Sequence, residues 1–323
     1  MTRRAVVAGG SGFIGEAVIA WLRDEGYSLT RVGRRGPDVS WDDTPGLRRA
    51  VDGAELLVNL AGKSVACRYT DANRDEILRS RVETTRALRE AVAAAASPPA
   101  IWMNASTATI YRYALDHPQT DSGGDLGAGF SVDVARAWEA ELFDGDLPGT
   151  RRVALRMAIV LGDGPATSML LRLARLGLGG PQYDGPWLPH RRYRGIGNNP
   201  TGDGRAPWHR SRGRQRFSWI HIDDVVAAMR FIRDTPTFSG TVNLSSPNPT
   251  DNRTLMATLR RAVGAPIGLP AGRFILEPAM WALRVESELL LKSRWVVPER
   301  LLHEGFVFHY PELEPAVREI ASR

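Results

Sequence analysis

Cysteine and lysine are nearly missing from this chain of 323 residues. There is one cysteine, Cys67, and two of the 42 basic residues are lysines, Lys63 and Lys292. A lone cysteine excludes an internal disulfide framework and fits a reducing cytoplasm. No histidine lies near Cys67 in sequence, so it reads as an ordinary thiol. The six histidines are scattered, with no His-x-x-x-His or paired-cysteine spacing, and no metal site is expected. No apolar run is long enough to span a bilayer. The run Ala5–Ala8 behind Arg3 and Arg4 is too short for the core of a signal peptide and reads as a first strand. Internal repeats are not evident. The composition is that of a folded chain, 43% hydrophobic and 24% charged, with room for one or two domains.

The net charge of +6 is local. Between Pro186 and Arg216 stand eight arginines (Arg191, Arg192, Arg194, Arg205, Arg210, Arg212, Arg214 and Arg216) against one acid, Asp203, so the remainder is close to neutral. A local excess disfavours nucleic acid as the main partner. Three readings of residues 186–212 stay open: a disordered or solvated surface, a lid or clamp for an anionic substrate, and a patch for nucleic acid or a protein partner.

What is present is a glycine cluster at the start. In Ala5–Gly15 a short apolar run ends at Gly9-Gly10-Ser11-Gly12, and Ile14, Ala17, Val18, Trp21 and Leu22 then recur at helical spacing. The glycines fit both G-x-G-x-x-G and G-x-x-G-x-x-G. Strand, tight turn and helix in that order form a dinucleotide fingerprint: the first glycines let backbone approach a pyrophosphate, and Gly15 lets the helix pack against the strand. Gly9, Gly10, Ser11, Gly12, Phe13, Ile14 and Gly15 are therefore cofactor-binding candidates.

A second strand is expected at Ser28–Val32. An NAD site usually ends this strand with an acid that binds the ribose hydroxyls. Here the end reads Gly33-Arg34-Arg35, which suits a 2′-phosphate and favours NADP(H), through Arg34, over NAD(H). The alternative is a solvated arginine pair. Strand Glu55–Leu60 ends in Asn59-Leu60-Ala61-Gly62, small enough for a cofactor to pass. A long helix follows over Asp71–Ala96, and a strand at Ile101–Asn104 leads into Ala105-Ser106-Thr107-Ala108-Thr109-Ile110-Tyr111. Later expected elements are a strand at Val153–Leu161, a helix at Ala166–Leu176, a strand at Phe217–Ile222, a helix at Val225–Ile232 and a strand at Gly240–Leu244. Glu286, Glu288, Lys292 and Arg294 look like a charged helical face with local ion pairs.

These motifs resemble the extended short-chain dehydrogenase/reductases, the superfamily of nucleotide-sugar epimerases. The resemblance implies a Rossmann-type doubly wound parallel α/β sheet with a smaller, mostly helical C-terminal domain. It gives Thr107 the place of the catalytic Ser/Thr and Ser106 a place beside the cofactor. The superfamily's Tyr-x-x-x-Lys is absent: aligning Glu139 with the family glutamate puts Ser131 at the tyrosine and Ala135 at the lysine. A narrower resemblance covers nearly the whole chain. Asn59–Gly62, Ser80-Arg81…Thr84-Thr85-Arg86, Val134–Glu139, Phe217–Asp224 and Glu288–Pro311 are similar to the bacterial "epimerase family" oxidoreductases with a DUF1731-like C-terminal domain, a group that generally lacks that pair. The implied division is residues 1–165 with about 214–247 as cofactor domain, and 166–213 with 248–323 as substrate domain. His221 then lies near the junction, in a structural role.

The sequence supports two functions. One is an NADP(H)-dependent oxidoreductase or epimerase-like enzyme acting on a small molecule, with Thr107, Tyr111 and Ser131 facing the nicotinamide and Tyr111 as substitute proton donor. The other is an NADP(H)-binding, redox-responsive interaction protein without turnover. Loss of proton transfer, worth about 10²–10⁴-fold, leaves binding possible in either case.

Overall fold

In the computed structural model, which describes residues 3–34 and 38–323, the first element is strand β1 (Arg4–Ala8), followed at once by the glycine turn and helix α1 (Phe13–Asp24). Strands β2 (Ser28–Gly33) and β3 (Val39–Ser40), helix α2 (Thr44–Val51), strand β4 (Leu56–Asn59), helix α3 (Asp71–Ala93) and strand β5 (Ile101–Thr107) complete the N-terminal half. Helix α4 (Phe130–Phe143), strands β6 (Arg151–Met157) and β7 (Ile159–Leu161), helix α5 (Pro165–Arg175), and short strands β8 (Gln182–Tyr183), β9 (Arg216–Phe217) and β10 (Trp219–His221) follow. Helix α6 (Ile222–Asp234) leads to β11 (Gly240–Leu244), β12 (Thr250–Asp251), α7 (Asn252–Ala262), β13 (Ala271–Gly272), α8 (Arg273–Ala282), α9 (Glu288–Leu291), α10 (Glu299–His303) and α11 (Leu313–Ser322). None of the helices is long and apolar enough to cross a membrane among the described residues.

Seven strands form one parallel sheet in the order β11-β6-β5-β4-β1-β2-β3. The order reverses beside β1, so its C-terminal end and that of β4 open a crevice where the chain leaves to opposite sides. Alternation within each strand fills both faces. Ala5, Val7, Val58 and Met103 pack against α1 and α6, while Val6, Ala8, Leu57 and Trp102 pack against α2 and α3. A separate core joins α5, α7 and α11 with Leu161, Phe217 and Trp219. Leu301, Phe306 and Phe308 return to the first core.

The expected strand over Val153–Leu161 divides. Ala158 N–H donates to the Leu244 carbonyl at 2.9 Å, and the chain then leaves the sheet to pair β7 with β10. The expected strand at Phe217–Ile222 also divides, because β9 pairs with β12 while β10 pairs with β7. Strand β5 runs farther than its hydrophobic pattern suggested. Ala105, Ser106 and Thr107 stay in register with Leu155, Arg156 and Met157, which carries the hydroxyl segment to the crevice.

The arginine-rich stretch is anchored at a few points while Arg191, Arg194, Arg205, Arg210 and Arg212 stay exposed, in keeping with the reading as a solvated surface. Arg192 is buried and reaches Glu277 at 2.6 Å and Glu286 at 3.2 Å, on and beyond α8. Arg74 of α3 donates to the carbonyls of Arg191, Arg192, Arg194 and Gly195 at 2.6–3.2 Å. The Asp133 carboxylate of α4 accepts from the Ile196 and Thr201 amides at 3.0 and 2.9 Å and from the Thr201 hydroxyl at 2.6 Å. The long-range partners of a basic segment are acids and carbonyls, which local periodicity does not reveal. Asp133→Ala removes three charge-assisted bonds, and we expect a loss of about 2 kcal/mol in urea unfolding. Trypsin should then cut first within residues 191–205; unchanged cleavage sites would contradict this anchoring.

Candidate functional site

The crevice begins where Gly9 and Gly15 permit backbone to touch backbone. Gly9 has φ +77°, and a Cβ there would lie 2.6 Å from Ala61 N and Leu60 C. A Cβ on Gly15 would lie 2.6 Å from the Gly9 carbonyl oxygen. These contacts draw β1, α1 and the turn after β4 together. The N-terminus of α1 has no side-chain cap, so its first N–H groups remain for an anion.

Two chambers meet along this turn. The first, about 890 Å³, is lined by Gly9, Gly10, Ser11, Gly12, Leu60, Ala61 and Gly62, and by Arg34 at the end of β2. Arg23, Arg31 and Trp41 also line it, and none of the three was singled out by sequence. Arg34 is exposed and stands 3.7 Å from Glu76 of α3, which also holds Lys63 at 2.5 Å. The Lys63 ammonium, by its hydrogen bond, holds the Glu76 carboxyl below the usual range. Arg35 lies outside the described residues.

Asn59 is not on the wall. Its buried amide donates to Asn104 Oδ1 at 2.7 Å and Thr85 Oγ1 at 3.2 Å, and its carbonyl oxygen accepts from Ala61 N at 3.0 Å. It shapes the Leu60–Ala61 turn from beneath, a correction to its expected direct contact.

The second chamber, about 400 Å³, is lined by Gly9, Gly12, Phe13, Ile14, Gly15, Leu60, Ser106, Thr107, Ser131 and Ala135. Thr107 ends β5, and its Oγ1 accepts from Thr109 N at 3.1 Å, leaving its own O–H for a ligand. Ser131, on the first turn of α4, donates to Glu288 Oε2 at 3.0 Å. Ser106 donates to Glu139 at 2.6 Å, so its hydroxyl faces inward rather than into the chamber. Glu139 in turn binds Arg156 through two bonds, Nε–Oε1 at 2.8 Å and Nη2–Oε2 at 2.7 Å.

Tyr111 is corrected more strongly. It is 1% exposed, and its hydroxyl accepts from Arg156 at 2.9 Å and donates to Asn243 Oδ1 at 2.8 Å. Burial raises its phenol above the ordinary range, with Arg156 opposing. It does not line the chamber, because the one-turn helix at Ala108–Ile110 directs its ring into the core around Val132 and Val296. The structure thus joins Thr107 and Ser131 and leaves Tyr111 behind them.

Sequence reasoning missed the far wall. Tyr69, Arg81, Thr109, Leu289 and Arg294 line the second chamber. Glu286, Lys292 and Arg294 are buried, which overturns the expected charged helical face. The segment is fixed from both sides: Ser218 Oγ donates to the Arg294 carbonyl at 2.8 Å, and Ser293 Oγ donates to the Ala114 carbonyl at 2.6 Å. Lys292 Nζ donates to the Thr109 carbonyl at 2.6 Å and stays 4.0 Å from Glu288. Its burial lowers the ammonium to about 8. Burial likewise lowers Arg81, whose guanidinium lies 5.0 Å from the Trp138 ring centre, to about 10. Tyr69 is raised by burial first and by Glu288 second.

His221 caps α6 through Asp223 N at 3.2 Å and meets Glu319 of α11 at 3.2 Å, while burial lowers its imidazole. It holds the α6–α11 contact and lines neither chamber. Residues 186–212 line neither chamber as well.

A sheet in this order with a glycine turn at its switch point defines a Rossmann-type α/β protein. Residues 5–125 match the NAD dependent epimerase/dehydratase family, and residues 279–320 match a domain of unknown function, DUF1731. The chain is 33% identical over 332 residues to epimerase family protein SDR39U1 of Bos taurus, covering 99% of this chain and 100% of that one. It is 25% identical to epimerase family protein YfhF of Bacillus subtilis, covering 98% and 97%. Among solved structures, human SDR39U1 crystallised with NADPH superposes with a TM-score of 0.79 at 29% identity over 99% of each chain. The UDP-glucose 4-epimerase of Thermotoga maritima shares the fold, with a TM-score of 0.70 at 15% identity over 99% of this chain and 97% of that one. The chain belongs to the epimerase family.

Lys292 gives a pH signature. Its folded value near 8 lies below the ordinary 10.5, so between those values the unfolded chain binds more protons and stability rises with pH. Urea unfolding at pH 7.5 and 9.5 should show wild type gaining about 1–2 kcal/mol on Lys292→Met over that step. Parallel profiles would contradict a buried, strained ammonium.

Proposed function

We propose that the two chambers bind NADP(H) end to end and that the protein is an oxidoreductase acting on a small molecule in the second chamber. The observation that carries this is the continuity of the crevice. An uncapped helix N-terminus and the Gly9–Leu60 backbone contact lead directly to the hydroxyls of Thr107 and Ser131. Gly9 and Gly15 let backbone pack on backbone, which leaves the uncapped first turn of α1 open to a pyrophosphate. The human relative's NADPH supports the same cofactor.

When bound, NADP(H) supplies or accepts a hydride. The chain's own groups do the rest. Arg34 meets the 2′-phosphate, exchanging its exposed contact with Glu76 for a dianion. Thr107 donates its free O–H to the substrate oxygen. Ser131, bound to Glu288, links that oxygen to a carboxylate through which a proton can pass. Phe130, Val134 and Trp138 wall the chamber from water.

The second reading, a cofactor-binding protein without turnover, is favoured by one observation: Ala135 offers only a methyl where the superfamily has lysine. Transfer of deuterium from pro-S deuterated NADPH to a panel of carbonyls and enones separates the two. Turnover abolished by Thr107→Ala supports the enzyme, while binding with no transfer supports the second reading.

Arg34→Asp should weaken NADPH about tenfold or more, and NADH little, in calorimetric titrations. Equal affinity of the wild type for the two cofactors would sink the NADP assignment.

A further inference from the structure

The wall of the second chamber around Thr109, next to Thr107, carries more positive charge than its acids balance. Arg294 is buried, and its bonds go to uncharged oxygens: Nε to Thr109 Oγ1 at 3.1 Å, Nη1 to the Leu289 carbonyl at 3.2 Å and, at the limit, the Lys292 carbonyl at 3.5 Å, and Nη2 to the Glu288 carbonyl at 3.4 Å. Lys292 stands directly behind it, also bonded to a carbonyl. Arg81, across the chamber, donates to the Lys63 and Ile77 carbonyls, both at 3.0 Å. Carbonyl oxygens satisfy hydrogen-bond donors but do not cancel a cation. Among the described residues no carboxylate comes within 4.0 Å of the Arg81 or Arg294 guanidinium. Glu288 is the one acid close by, 4.0 Å from Lys292 and engaged by Ser131.

Two guanidinium groups on the wall of a mostly apolar chamber, with the Lys292 ammonium bonded to the Thr109 carbonyl, are unfavourable without a further anion, since attraction and repulsion are both magnified there. One Nη2 proton of Arg294 has no acceptor in the bonds given above. Thr109 Oγ1 accepts from Arg294, so its own proton also remains to be donated. Both residues line the second chamber, and neither lines the first, where the glycine turn meets Arg34. The two donors and the unbalanced charge form an anion subsite separate from the cofactor's phosphates.

Resting on the cofactor reading above, we infer that the substrate is a small carbonyl acid, with its carboxylate on Arg294 and Thr109 and its carbonyl between Thr107 and Ser131. The substrate's charge supplies the anion that the wall lacks. The modest chamber, shared with the nicotinamide, restricts that substrate to a few carbons beyond the two functional groups. Arg294 acts here as a specificity residue: it selects acids over their neutral counterparts.

The test compares acetate, pyruvate and 2-oxobutyrate with their primary amides, at constant ionic strength, by calorimetry on the full chain with and without NADPH. Inorganic phosphate forms a third arm. At least one acid should bind about tenfold or more tighter than its amide. Arg294→Gln should reduce that preference below about twofold while NADPH affinity stays within about twofold. Thr109→Val, which keeps the charge, should reduce it by a smaller factor. No preference for any acid over its amide overturns the proposal. So does an equal preference in Arg294→Gln, or binding of phosphate alone. Failure of NADPH to bind the wild type overturns the cofactor reading instead, and the comparison without NADPH still decides the subsite. If Arg294→Gln does not fold, the wild-type comparison and Thr109→Val decide it.

Discussion

The site depends on a buried ion pair that never touches the crevice. Glu139 on α4 and Arg156 on β6 make two parallel bonds in the core, the geometry in which guanidinium and carboxylate bind best. Removing either partner would leave a charge without compensation, a loss of about 3–5 kcal/mol. The pair fixes the height and rotation of α4 over the sheet, and so decides which α4 side chains reach the chamber. Ser106 binds the same carboxylate from β5, and Tyr111 passes the network to Asn243 on β11. Asn243 Nδ2 then donates to the Val297 carbonyl at 3.0 Å, three residues beyond Arg294. One polar chain thus ties the chamber floor to its far wall.

At the other end the constraint is steric. Gly9 and Gly15 bring three backbones within contact, which leaves an uncapped helix N-terminus facing open space. Cations follow the crevice from there: Arg34, Arg23 and Arg31 along the first chamber, then Arg81 and Arg294 in the second. The basic stretch at 186–212, which contains the sequence's most conspicuous charge, plays no part in that lining. Arg192 is taken up by Glu277 and Glu286 and Arg191 by Asp71, and the stretch serves as a strap over α3, α4 and α8.

The N-terminal fold was legible because its signals are local. Short apolar runs, helical spacing in Ile14–Leu22 and the glycine turn each lie within a dozen residues. The doubly wound parallel sheet followed from the resemblance that those motifs carry. The far wall was not legible, because Ser131 meets Glu288 across 157 residues and Lys292 meets Thr109 across 183. Seen alone, Glu288, Lys292 and Arg294 have the spacing of a solvated helix face; α9 stops at Leu291, and the chain beyond it is pulled inward by Ser218 and Ala114. Tyr111 misled for a related reason. Its position after a hydroxyl-rich strand end suggested a proton donor, but the direction of a side chain after a one-turn helix depends on the core that receives it. Arg81 lies within the Ser80–Arg86 motif, and only the fold shows that it faces the chamber.

In the proposed reading one crevice, running from the glycine turn to Thr107 and Ser131, holds NADP(H) with its reactive end at those hydroxyls. A crystal structure of the protein with NADPH tests it most directly. The 2′-phosphate should lie against Arg34, the pyrophosphate on the first turn of α1, and the nicotinamide in the second chamber, leaving space for a substrate atom about 3–3.5 Å from its C4 and beside Thr107. A nicotinamide turned away from Thr107 and Ser131, or a dinucleotide bound outside the crevice, would contradict it.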